Sequence, residues 1–157
     1  MMESRQPTTV VVNRHVIEIR VDRSGSPRSM IVSIELDYAR SWSFDEPGWQ
    51  DPAYGVSDGA AYWWSARHMV LLPIGENQSE PVVITTDEDI RFVFRVAESW
   101  LLVCETSVRV FKAGEIASRL DFGETLITAS WEGSQLVIGD ATGRHSKVSV
   151  IDGKLII

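Results

Sequence analysis

From Ile90 to Ile157 the chain is a ladder of short apolar or alternating runs, RFVFRV, WLLVCE, VRVFK, EIASRL, TLITASW, SQLVIGD, KVSVI and KLII. The connectors between them, such as AES, TS, AG, EG and DG, are too short for crossovers. Consecutive runs must therefore pair with their neighbours as an antiparallel meander. The AspGly between VSVI and KLII is a strong local hairpin signal, because both residues tolerate positive φ. A register can be read inside the ladder. Leu101–Glu105 align with Leu136–Asp140 at an offset of 35, and Val108–Ile116 with Val148–Ile156 at an offset of 40. A repeat of this size, built from several short strands, resembles a propeller blade at the level of pattern, without a WD or kelch signature.

The first half does not show that period. Thr9 to Val21 is rich in β-branched residues and settles into alternation, with Ile17, Ile19 and Val21 on one side and Val16, Glu18 and Arg20 on the other. After the turn DRSGSPRS, SMIVSIELDY alternates again, so residues 9–38 read as a long hairpin behind a loose tail at 1–8. Residues 41–59, SWSFDEPGWQDPAYGVSDG, read as an irregular loop. AAYWWSARHM could open a short helix, but aromatic and β-branched residues around it favour a strand with an irregularity. The fold class expected is all-β: one domain over residues 1–157, a mostly antiparallel meander forming a sandwich or partly open barrel, blade-like in its C-terminal half. A closed propeller is not expected, because the first half lacks the repeat.

The chain has 157 residues, 44% of them apolar, enough for a substantial core. Its formal net charge is −7, from 22 acidic and 15 basic residues. That field opposes nucleic acid and anionic membrane surfaces as partners. A single cysteine, Cys104, rules out an internal disulfide and suits a reducing compartment. With neither a signal-peptide pattern nor an apolar run of membrane-spanning length, a cytoplasmic location is expected.

Few residues suggest chemistry. His15, His68 and His145 lie in separate segments, and no HxH, HxxxH, CxxC or HExxH spacing occurs. Isolated histidines at strand ends or in turns are the simpler expectation, with His68, next to an aromatic cluster, the most interesting. Cys104 lies in an apolar run beside Glu105, an unfavourable setting for a thiolate. Asp45 with Glu46, and Asp87, Glu88 and Asp89, read as solvated turn acids. No cofactor or metal is expected.

The strongest candidate surface is aromatic and acidic. Trp42, Phe44, Trp49, Tyr54 and Trp63 fall in one stretch with Asp45, Glu46, Asp51 and Asp58, and His68 follows closely. Such rings bury large area at low entropic cost, so they serve as anchors in protein interfaces. They equally serve to tie a proline-rich loop to a core. Tyr62 and Trp64 should share one strand face and Trp63 the other. The expected function is a non-enzymatic interaction module for a protein partner, a basic surface matching it best. Two alternatives are a small hydrolase or sugar-active enzyme with a dispersed carboxylate and histidine site, and an accessory β domain buried in a homo-oligomer. An enzyme requires a concave pocket in which His68 meets Asp or Glu at hydrogen-bond distance.

Overall fold

The structure is a computed structural model that describes residues 8–12, 14–26, 29–47, 52–57, 60–73, 81–112 and 115–157. These residues form four four-stranded antiparallel sheets, each pairing its strands in chain order. The first holds β1 (Thr8–Val12), β2 (His15–Ser26), β3 (Ser29–Leu36) and β4 (Arg40–Pro47). The second holds β5 (Ala53–Ser57), β6 (Ala60–Trp64), β7 (His68–Pro73) and β8 (Val82–Thr85). The third holds β9 (Ile90–Val96), β10 (Ser99–Cys104), β11 (Ser107–Lys112) and β12 (Glu115–Asp121). The fourth holds β13 (Leu126–Glu132), β14 (Gln135–Asp140), β15 (His145–Ile151) and β16 (Lys154–Ile156).

The chain divides into two compact units, Met1–Thr85 and Thr86–Ile157, each carrying two sheets. In the first unit, Ile17, Ile19, Val32 and Ile34 of one sheet share a core with Ala61, Trp63, Val70 and Leu72 of the other. The alternation visible in the sequence causes this. Ile17 and Ile19 pair across the ladder with Leu36 and Ile34, so one face of the sheet is apolar and the other carries Glu18 and Glu35. In the second unit, Leu101, Val103, Val108 and Val110 meet Leu126, Leu136, Ile138 and Val148 in the same manner.

The sequence register holds only in part: Leu101 pairs with Val110 and Leu136 with Val148, so once the second strands are matched at 35 the third strands match at 38, not 40. Leu101 and Leu136 occupy second strands, Val108 and Val148 third strands, and all four are fully buried. The β14–β15 connection, Ala141–Arg144, is two residues longer than the turn Glu105–Thr106 and accounts for two residues of the difference between the offsets. Asp152 (φ 51°) and Gly153 (φ 77°) make the tight turn that the AspGly signal predicts.

Two expectations are corrected. The four-stranded unit also occurs twice in the first half, where the sequence shows no period. The reason is that β2 has twelve residues and β8 only four, so strand lengths and connectors differ from sheet to sheet. Residues 41–59 are not one irregular loop, since they contain most of β4 and all of β5. Its serine, acidic and proline content hides two strands whose core-side positions include Trp42, Phe44 and Tyr54. Residues 60–73 form a β6–β7 hairpin, closed by the Ser65 N–H donating to the His68 carbonyl at 3.0 Å.

Candidate functional site

Two features of the first unit bear on function: a buried carboxylate–histidine pair and an apolar cleft. Trp42, Phe44 and Glu46 alternate along β4 on the face turned toward the core, because Phe44 pairs with Val32 and Trp42 with Ile34. Glu46 is 1% exposed. Its Oε2 accepts from the Arg67 N–H at 2.8 Å, and its Oε1 meets His68 Nδ1 in a short contact. The Phe44 ring stacks on His68 (centroids 4.8 Å apart) and on Trp63 (5.8 Å). Glu46 therefore holds the β6–β7 turn to the end of β4, with the imidazole wedged between carboxylate and ring.

The second unit contains the same device without a histidine. Glu88 stands just ahead of the third sheet, as Glu46 stands ahead of the second, and grips the turn between that sheet's second and third strands. Its Oε1 accepts from the Thr106 N–H at 2.8 Å and from the Thr106 hydroxyl at 2.5 Å. Its Oε2 accepts from the Ser107 hydroxyl and from Arg109 Nη2, both at 2.5 Å. Arg109 also donates to Asp87 Oδ1 at 2.5 Å and through Nε to Ser107 Oγ at 3.0 Å. Desolvation pushes the Glu88 carboxyl upward, but the donors from Ser107, Thr106 and Arg109 outweigh it and hold it at about 2. Burial pushes the Cys104 thiol up to about 12, so it stays protonated in the core.

The sequence expectation of solvated turn acids is thus corrected at Glu46 and Glu88, while Asp45 is exposed. The expectation of isolated histidines is corrected at His68, and also at His15, whose Nδ1 lies 2.6 Å from Asp37 Oδ2. The Val16 N–H donates to the other oxygen of Asp37 at 2.7 Å. His145 is exposed at the start of β15. Arg109, Thr106 and Ser107 were not singled out by sequence reasoning. A signal was present, since an arginine at the centre of an apolar run, SVRVF, requires carboxylate partners once buried.

The cleft lies between the two sheets of the first unit. Val10, Ile17, Ile19, Trp63 and Leu72 line it, and Tyr54 and Val56 stand at its mouth, 49% and 50% exposed. Neither Glu46 nor His68 lines it. The structure separates the predicted site residues. Trp63, 1% exposed, is core, and its buried Nε1–H has no hydrogen-bond partner. Trp42 and Phe44 are half-buried against that core, with the Arg40 guanidinium 5.3 Å above the Trp42 ring. Tyr62 and Trp64 stack on each other on the opposite face of β6, centroids 6.1 Å apart. Tyr54 and Asp45 are exposed, and Trp49, Asp51 and Asp58 lie outside the described residues. Among the described residues no group of three or more His, Cys, Asp or Glu side chains could hold a metal ion, and no helix is long and apolar enough to cross a membrane.

The chain is similar in fold to a computationally designed protein, Ika4, whose crystal structure it matches at 12% identity over 94% of each chain, with a TM-score of 0.51. At that identity the likeness concerns the fold alone. No family model matches the chain, and no curated protein matches it.

Proposed function

We propose that this protein is a non-enzymatic interaction module that meets a protein partner with the exposed side chains at the rim of the cleft of the first unit. The observation that carries this reading is the pair Tyr54 and Val56, both about half exposed at the mouth of an apolar cleft on edge strand β5. A ring with two rotatable angles beside an apolar recess is the usual composition of an interface anchor. Asp45 and the net charge of −7 supply long-range steering toward a basic partner. Two sheets sharing one core in each unit support the sandwich arrangement over the partly open barrel. The buried, protonated Cys104 suits a reducing, cytoplasmic setting. The test is a photo-crosslinking residue placed at position 54, with position 144 as the exposed control. Adducts formed at 54 and absent at 144 support the reading. The same adducts at both positions count against it.

The contact of His68 with Glu46 is the one observation that favours a hydrolase. Both Glu46 oxygens are occupied by turn groups, however, and Glu88 does the same work with no histidine. A clamp accounts for both sites, and catalysis accounts for one.

A further inference from the structure

Two sheet faces in this chain are left open, and their charges are opposite. β10 is buried at all six positions, so both of its faces are covered. The first and fourth sheets differ. Opposite its core face, the first sheet carries Glu18, Asp22, Glu35 and Asp45 against Arg20, four carboxylates to one guanidinium among the described side chains. Glu18 and Glu35 are direct cross-strand partners. Like charges so placed destabilise a ladder, and Arg20, 3.3 Å from Glu18, answers one of the two.

Opposite its own core face, the fourth sheet carries Lys147 and Lys154 among Val137, Ile151 and Ile156, with Glu132 at the edge. Ile151 and Ile156 are 55% and 47% exposed, high values for large aliphatic side chains in the middle and at the edge of a sheet. Lys147 is 3.9 Å from Glu132, both largely exposed, a weak tie that leaves the lysine available. Ile31, 45% exposed, and Val11, 67% exposed, give the acidic face apolar area to meet the isoleucines.

We propose that the open face of the fourth sheet docks on the open face of the first sheet of a second copy of this chain. The partner is a second copy because the basic, isoleucine-bearing surface that the acidic face requires is present on the same molecule. The contact is heterologous: each chain offers one surface of each kind, and association proceeds until the rotation closes. It is independent of the cleft, since it uses neither Tyr54 nor Val56.

Sedimentation velocity over a concentration series tests this with charge reversals. The wild type is expected to associate, less so as salt rises. Lys147→Glu with Lys154→Glu, and separately Glu35→Lys with Asp45→Lys, should each weaken association by at least about tenfold. An equimolar mixture of the two double variants should restore it, because each then carries the charge that the other lacks. Glu35→Lys places a lysine opposite Glu18, so that variant keeps a favourable ladder, and circular dichroism checks the fold of both. A wild type that stays monomeric throughout, reversals that leave association unchanged, or a mixture that fails to restore it would each overturn the proposal. Tyr54→Ala should leave this association untouched, so the cleft reading and this one fail separately.

Discussion

Glu46 and Glu88 show how one residue type in one topological position can look like chemistry and act as structure. Each is a carboxylate ahead of a sheet that satisfies the backbone N–H of a turn two strands later, Arg67 in one case and Thr106 in the other. Burying such a group costs free energy unless its acceptor positions are filled, and both are filled. Replacing Glu46 by alanine leaves the Arg67 N–H and the imidazole without their acceptor. Urea denaturation should show a loss of about 2–4 kcal/mol, with the wild-type secondary structure retained in water. Glu88 makes a pH-dependent contribution. Its carboxyl is held at about 2 against an ordinary 4.5, so the stabilisation is fully present above pH 4.5 and is lost as pH falls from there to 2. The shift corresponds to about 3–4 kcal/mol, and Glu88→Gln should flatten that part of the stability–pH curve measured by thermal unfolding. Both acids were visible in the sequence as acids, but their burial was not. Adjacent Asp45 and Glu46 look alike as letters, and only the β4 register decides that one faces solvent and the other the core.

Whole elements were legible where the alternation was clean. Ile17, Ile19, Val32 and Ile34 announce their face in sequence, and the match of Leu101 with Leu136 finds the second strands of two sheets, although the offset of 40 misplaces the third. β4 was not legible, because serine, acidic and proline residues outnumber Trp42 and Phe44, and its third core-facing position is Glu46. β5 was not legible because five residues give too few alternations to establish a period of two. Gly55 of β5 has a definite role in that strand. A Cβ there would lie 2.4 Å from the Tyr62 ring, which covers the glycine directly across the ladder. Gly55→Ala therefore pushes Tyr62 from its stack with Trp64. A loss of about 1–3 kcal/mol in denaturant titration is expected, with a changed near-ultraviolet circular dichroism signal from the displaced rings. An unchanged signal with unchanged stability would mean that the ring finds another site at no cost.

At the scale of the whole molecule, four meanders of similar build supply rigid strands, and the variation between them creates surfaces. The charge of −7 is set by composition, but composition does not show that four carboxylates gather on one open face while two lysines and two isoleucines gather on another. The aromatic stretch was legible as a cluster, yet it divides into core (Trp63), core rim (Trp42 and Phe44) and exposed edge (Tyr54). That division moves the proposed contact from a loop to the mouth of a cleft. The central claim is that the protein works through this surface. The most direct measurement is quantitative capture of native-lysate partners by the wild type and by a Tyr54→Ala, Val56→Asp double variant of matched thermal stability. One or more partners should be retained by the wild type and reduced at least about tenfold by the variant. Equal recovery of every captured protein by the two forms would contradict it.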